Sequence, residues 1–215
     1  MNELEDTDAP LPQKLGDLLN RLAVAMRADK WDATGALGLN PTQGQILLLL
    51  YRRNTALRLS EIAEELAVSA PTVSDSVASL VDKGYATKNK AKDDGRALAV
   101  KLTAKGRKRV SSIEGQDDAV LHAVDALGPE EQVQFYRSLI RVLRELQHSE
   151  RIPVGRMWVT CRYFGPNRYD DEKRPHHCSL VGVAFGDKTI RSDCPEHEQA
   201  SDELAMENWQ AFVRQ

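Results

Sequence analysis

The chain contains no cysteine before residue 161, and it has no long hydrophobic run. The four leucines at 47–50 are far too few to cross a bilayer, which takes about 20 consecutive apolar residues. The opening residues, MNELEDTDAPLP, are acidic and contain proline, so they are unlike a signal peptide. We therefore predict a cytoplasmic protein with no membrane partner and with a disordered lead over residues 1–10.

Sequence motifs of common enzyme classes are also missing. The sequence has no nucleophile elbow, no phosphate-binding loop and no paired-carboxylate motif. Its 215 residues are enough for one main domain and a small appendage. We therefore predict a protein that is not an enzyme, and we look to binding motifs for its function.

Two short amphipathic segments joined by a tight turn follow an apolar helical segment at 39–53. In the second segment Ser69 can cap a helix, and Pro71 lies in its first turn, where a missing N–H costs nothing. Val73 and Val77 recur at helical spacing and predict an inward face. The opposite face presents short polar side chains: Thr72, Ser74, Asp75, Ser76 and Ser79. Such groups bond phosphates and base edges, so the pattern predicts a helix-turn-helix that reads DNA.

Basic residues are concentrated just downstream, although the whole chain carries a net charge of −3. Nine lysines and arginines fall between residues 88 and 109. A DDG turn at 93–95 separates two segments that can pair as strands. Charge and turn together predict a basic hairpin that neutralises phosphates and places Arg96 near a narrow minor groove.

These segments resemble the MarR family of bacterial regulators over about residues 11–149. The resemblance is carried by Leu39, Thr42 and Gln43, by LSEIAEELAVSAPTVSDSVASLVDKG at 59–84, by a DDGR wing, and by Leu102-Thr103 with Gly106. Gly95 differs from the arginine that is usual in the family's wing. The resemblance implies a homodimer on pseudo-palindromic double-stranded DNA, often with a small phenolic ligand, a metal or an oxidant as effector. It implies DNA contacts from Ser69, Pro71, Thr72, Ser74, Asp75, Ser76, Lys88, Lys90 and Arg96.

Apolar stripes run along residues 11–29 and along residues 135–146. A helix that is this apolar on one side needs a partner, which is either its own domain or a second copy of the chain. We expect the homodimer, because two recognition helices one DNA turn apart give a small reader its affinity.

The cysteines form a separate pattern near the C-terminus. Cys161, Cys178 and Cys194 fall within 34 residues, close to His176, His177 and His197. A segment of this size is too small to be held by apolar burial alone. The odd cysteine count and a reducing cytosol disfavour disulfides, which leaves three ordinary buried cysteines or a metal centre. We predict a metal centre with three thiolates and His197 as ligands, with His177 or His176 as the alternative fourth ligand.

The sequence discriminates only weakly between zinc and an iron–sulfur cluster. Three cysteines and one histidine suit structural zinc. The cysteines are widely spaced, however, and they have aromatic neighbours and a Cys194-Pro195 pair, which are more typical of a small iron–sulfur domain. An iron–sulfur cluster is therefore favoured narrowly, with zinc as the alternative.

The sequence thus predicts a mainly α (α+β) protein. Its parts are a lead at 1–10, a winged helix-turn-helix DNA-binding and dimerisation domain at 11–149, and a small metal-binding appendage at 150–215. The favoured function is a homodimeric transcriptional regulator, acting as a repressor, whose tail senses redox state or metal through an iron–sulfur centre. The alternative is the same regulator with a structural zinc tail and a small organic effector. A metalloenzyme is the least favoured interpretation, because four ligands would close the metal site.

Overall fold

The computed structural model describes residues 9–35, 38–90, 98–114 and 119–214. The chain divides into two compact units, one ending at Ala126 and the other beginning at Leu127. Within the described residues, no helix combines the length and the apolar character that a membrane crossing requires.

The N-terminal unit is mainly helical and carries one small sheet. Its helices are α1 (Leu11–Gly35), α2 (Pro41–Arg53), α3 (Leu59–Glu65), α4 (Ala70–Asp82), α5 (Ala104–Glu114) and α6 (Ala119–Asp125). Its strands are β1 (Leu57–Arg58), β2 (Ala86–Lys90) and β3 (Leu98–Leu102). They form an antiparallel sheet in the order β1-β3-β2, with Lys88 opposite Val100. The predicted helix-rich winged-helix fold is confirmed for this unit.

The core of this unit is built where α2 crosses the helix pair. Ile46 and Leu47 of α2 are fully buried with Ile62 of α3, and Val73 and Val77 of α4 join them. Because these residues repeat every three or four positions, each helix presents one apolar face to the others. This packed core holds α4 in a fixed position and leaves its outer face directed away from the core.

A close contact joins the end of the hairpin to α5. The Thr103 hydroxyl donates to the Gly84 carbonyl (2.8 Å) and accepts from the Gly106 amide (2.9 Å). Gly106 lies so near the Tyr85 carbonyl that a Cβ atom there would overlap it. The Thr-x-x-Gly pattern is therefore a packing requirement that fixes the hairpin against the start of α5.

The C-terminal unit combines two helices with a small sheet. It contains α7 (Pro129–His148), a 3-10 turn (Trp158–Thr160), β4 (Phe164–Gly165), β5 (His176–Cys178), β6 (Val183–Phe185), a second 3-10 turn (Asp187–Thr189) and α8 (Asp202–Val213). The strands pair antiparallel in the order β4-β5-β6. The sequence placed the domain boundary at 149/150, whereas the structure assigns α7 to the tail.

Contacts of α7 explain this different boundary. Ile140 is buried in the same cluster as the three cysteines, and the Tyr136 hydroxyl donates to the Ile190 carbonyl (2.7 Å). Arg137 Nη1 donates to Asp187 Oδ1 (2.6 Å), and its Nη2 donates to the Phe212 carbonyl (3.1 Å). The helix thus contributes one face of the tail's own core.

The Gly106 contact gives a direct test of the packing in the N-terminal unit. Gly106→Ala should lower the free energy of unfolding by roughly 1–3 kcal/mol, because the new methyl must displace backbone. Urea unfolding of the full chain, followed by helix circular dichroism, measures this change.

Gly16→Ala is the matched control, since a Cβ at Gly16 in α1 would meet no atom within 4 Å. That control should be neutral or should stabilise the helix by about 0.5–1 kcal/mol. Equal behaviour of the two variants would contradict the packing role of Gly106.

Candidate functional site

Helices α3 and α4 form a helix-turn-helix with a tight connection. Ala67, between the helices, adopts a left-handed backbone conformation with φ of 51°. The Ser69 hydroxyl accepts from the Thr72 amide (3.3 Å), which makes Ser69 the N-cap of α4. Pro71 lies in the first turn. The predicted start of the recognition helix is therefore the observed one.

The outer face of α4 carries most of the predicted DNA-contacting residues. Ser69, Pro71, Thr72 and Asp75 are exposed, and Ser74 is half-buried. These side chains lie at the N-terminal end of the helix, which is the end that contacts base edges in helix-turn-helix proteins.

Ser76 requires a correction. The sequence predicts that Ser76 contacts DNA, but the residue is only 6% exposed. Ser76 follows Val73 by three residues and precedes Leu80 by four, so helical geometry turns it toward the core. Ser76 is therefore a buried polar residue of α4 and not part of its exposed face.

Gln43 is a site residue whose role the sequence did not reveal. It is 7% exposed, and its Nε2 donates to Ser79 Oγ on α4 (3.1 Å). Its Oε1 accepts from Lys83 Nζ (3.1 Å), and Lys83 Nζ also donates to the Gly38 carbonyl (2.7 Å). Buried amides are costly unless they are hydrogen-bonded, so Gln43 fixes α4 relative to α2. Ser79 is consequently turned toward Gln43.

The wing begins with β2 and β3. Lys88 is half-buried and Lys90 is exposed, and both lie on the face of β2 that Ala86 shares. Arg96 and the DDG turn lie outside the described residues. The described part of the hairpin thus brings one exposed lysine next to the helix-turn-helix unit.

Comparisons with known proteins agree with this geometry. Residues 37–97 match the model of the MarR family. The uncharacterised HTH-type transcriptional regulator YfiV of Bacillus subtilis is 25% identical over 116 residues, which are 54% of this chain and 72% of YfiV. A structure of the MepR–DNA complex from S. aureus is 25% identical, with a TM-score of 0.54 over 61% of this chain and 97% of MepR. The N-terminal unit is thus similar to the winged helix-turn-helix domain of MarR-family transcriptional regulators. Apo MarR from E. coli shares the fold, at 21% identity and a TM-score of 0.50 over 64% of this chain and 99% of MarR.

Outside the N-terminal unit, the three cysteines line one small pocket of the C-terminal unit. All three are free and buried. The pocket is lined by Trp158, Cys161, Tyr163, Phe164, Cys178, Leu180, Cys194 and Glu196. The structure therefore brings together three thiols that are well separated in the chain.

Each cysteine also begins a tight turn. The Cys161 carbonyl accepts from the Phe164 amide (3.1 Å), and the Cys194 carbonyl accepts from the His197 amide (3.2 Å). The Cys178 carbonyl accepts from the Gly182 amide (2.8 Å). These bonds hold the three backbone segments that carry the thiols around the pocket.

None of the three candidate histidines appears among the described residues that line the pocket. His176 is fully buried; its Nδ1 accepts from the Asn167 amide (3.1 Å), so its Nε2 carries the proton that faces Asp187 Oδ1 (3.0 Å). His177 alternates with Cys178 along β5, so its side chain leaves the opposite face of the strand. His197 Nε2 lies 3.0 Å from Thr160 Oγ1. The predicted histidine ligand is thus not found in the pocket.

Asp187 is the ionised partner of His176 and Arg137. Burial by itself would raise the pKa of the Asp187 carboxyl, but the hydrogen bond from His176 and the charge of Arg137 lower it below the usual value. The carboxylate is therefore charged at neutral pH and holds α7, β5 and the following turn together.

The thiols do not form a compact site for a single ion. Among the described residues, no three His, Cys, Asp or Glu side chains form a group that could hold one metal ion. The metal-binding role of the three cysteines therefore remains a prediction.

Proposed function

We propose that the chain is a homodimeric transcriptional repressor on a pseudo-palindromic operator, with an iron–sulfur sensing centre in its C-terminal unit. The observation that carries the DNA-binding part is the exposed N-terminal end of α4, held in place by Gln43 and by the core. The solved MepR–DNA complex, a structural relative, supports the same use of this domain.

Homodimerisation is supported by apolar side chains that the single chain leaves exposed. On α1 these are Leu11, Leu15, Leu18, Leu19 and Leu22, which range from 37% to 67% exposed. On α7 they are Val142, Leu143 and Leu146, which range from 37% to 48%. Contiguous exposed apolar patches mark protein interfaces, and two half-sites one DNA turn apart require a two-fold partner.

The sensing centre is supported by the shared pocket of Cys161, Cys178 and Cys194. A cluster bound there would supply crosslinks between the three turns, since metal binding in a small unit is also folding free energy. The cysteines lie in one core with Ile140 of α7. Removal of the centre would therefore loosen the face on which α7 packs, and α7 is one of the two helices with an exposed apolar patch.

The DNA-reading surface can be tested after selecting preferred DNA with the full chain. Thr72→Ala should change which bases are preferred, because a base contact carries sequence information. Lys90→Ala and Arg96→Ala should weaken binding to every sequence and lower the salt slope by about one for each phosphate that is no longer neutralised. Fluorescence anisotropy at several salt concentrations measures both effects.

Two matched control variants distinguish the loss of a DNA contact from a general effect on folding. Ser76→Ala changes a buried serine of the same helix and should leave base preference unchanged, and Lys173→Ala changes an exposed lysine of the other unit. If Thr72→Ala and Lys90→Ala bind every DNA as the wild type does, α4 and the wing are not the DNA-binding surface.

The centre can be tested by anaerobic purification with iron, sulfide and zinc analysis. The wild type should be brown, and Cys161→Ser, Cys178→Ser and Cys194→Ser should each lose iron and sulfide, because three thiolates act as a unit. Ser179→Ala, at the exposed neighbour of Cys178, should keep both. Equal metal content in the wild type and the triple serine variant would leave three ordinary core cysteines.

A further inference from the structure

A large groove of the C-terminal unit shares no described lining residue with the cysteine pocket. It is lined by β6 and the turn after it, by the first part of α7 and by the loop at 172–174. Its volume of about 1020 Å³ is at the upper limit of the roughly 300–1,000 Å³ that small-molecule sites occupy. The size therefore favours a segment of polypeptide over one compact small molecule.

The part of the groove formed by β6 is the edge of a sheet. β6 pairs with β5 on one side, and among the described residues no strand pairs with its other side. The consecutive residues Val183, Ala184, Phe185 and Gly186 all line the groove. Side chains alternate between the two faces of a strand, so consecutive residues line one groove when it runs along the strand's edge. The groove thus follows an edge whose main-chain donors and acceptors are available for pairing.

Helix α7 supplies apolar surface next to this edge. Glu130, Val133 and Gln134 line the groove, and their spacing of three and four residues places them on one face of the helix. Val133 is half-buried, Phe185 is 5% exposed and Val183 is 47% exposed. The groove therefore offers a place for an apolar side chain between the helix and the strand.

Exposed lysines lie at the Gly186 end of the groove. A Cβ atom at Gly186 would overlap the Lys173 carbonyl, so the loop at 172–174 packs directly on this end. Lys173 and Lys188 both line the groove and are exposed. Two ammonium groups are therefore available to a ligand that reaches this end.

Most acidic groups near these lysines are paired with arginines. Asp187 accepts from Arg137 (2.6 Å), and Arg174 Nε faces Asp171 Oδ2 (3.3 Å). Glu172 sets one negative charge against the two lysines. The Gly186 end thus carries a small excess of positive charge, which attracts an acidic group.

We propose that this groove binds an extended segment of a partner protein, which adds a strand to the β4-β5-β6 sheet along β6. Main-chain hydrogen bonds supply affinity in this mode of recognition, and alternate side chains supply specificity. The segment places an apolar side chain between Val183 and Val133 and an acidic group near Lys188. A strand rises about 3.3 Å per residue, so the three residues of β6 pair with about three to four residues of the segment. The inference does not depend on the metal centre.

The test selects phage-displayed random octapeptides on the purified full chain. The selected sequences should share an apolar residue close to an acidic residue. Binding of one selected, fluorescein-labelled peptide is then measured by fluorescence anisotropy. Methylation of its backbone nitrogens should weaken binding on the order of tenfold at every second position, because alternate amides of a paired strand donate to the neighbouring strand.

Variants of the chain locate the binding site. Val183→Asp removes an apolar contact and adds a negative charge, so it should weaken binding of the selected peptide. Lys188→Glu should weaken it on the order of fivefold, because an exposed attraction becomes a repulsion. Arg214→Glu reverses an exposed charge of the same unit outside the groove and should bind as the wild type does.

Three results would overturn the proposal. The first is a selection that enriches no peptide, and the second is a selected peptide that Val183→Asp and Lys188→Glu bind as tightly as the wild type does. The third is binding that backbone methylation leaves unchanged, since strand addition requires those amides. If the selection fails and Val183→Asp reduces self-association in analytical ultracentrifugation, the occupant is a second copy of the chain and the partner segment is refuted.

Discussion

The fold of the C-terminal unit depends on the Asp187 carboxylate, which accepts hydrogen bonds from the Arg137 guanidinium and from the His176 ring. Arg137, on α7, places its positive charge next to this carboxylate. His176, which is fully buried on β5, places its Nε2–H against the same oxygen. A buried ring nitrogen without an acceptor costs about 1–3 kcal/mol, so the fully buried His176 needs the half-buried Asp187 carboxylate beside it. The contacts of Asp187 therefore join α7, β5 and the second 3-10 turn to one another.

In the N-terminal unit, hydrogen bonds between neutral groups join the helices and the hairpin. Gln43 joins α2 to α4 through Ser79, and Thr103 joins the hairpin to α5 through Gly84 and Gly106. Apolar burial is not directional, whereas a hydrogen bond requires a defined distance and angle, so these bonds add a fixed register to the packed core. Apolar packing and these hydrogen bonds together explain how a small domain holds the N-terminal end of α4 in a fixed position. It also gives a physical reason for Gln43, Thr103 and Gly106, three of the residues on which the family resemblance rests.

Periodicity and caps predicted the helix-turn-helix, since Ser69, Pro71 and the apolar repeat of α4 depend on local geometry. Ser76 departs from the prediction because its spacing from Val73 and Leu80 places it on the buried face of α4, although its residue type is polar. The predicted apolar stripe of α7 leaves Val142, Leu143 and Leu146 exposed. The side of α7 that packs on the tail carries Tyr136 and Ile140, so the assignment of α7 to the tail required the structure. The contact of His176 with Asp187 depends on tertiary packing, and no spacing rule encodes it.

Asp187 joins α7 to the fold that holds the cysteines, and the rest of the C-terminal unit depends on this link. Hydrogen exchange followed by mass spectrometry on the full chain tests it, with Asp187→Ala against Asp193→Ala, whose carboxylate pairs with Arg156 (2.6 Å) in the same unit. Asp187→Ala should speed exchange in α7 and in β5 together, on the order of tenfold, while α4 and the Asp193→Ala protein stay as in the wild type. Unchanged exchange in α7 of Asp187→Ala would contradict the claim.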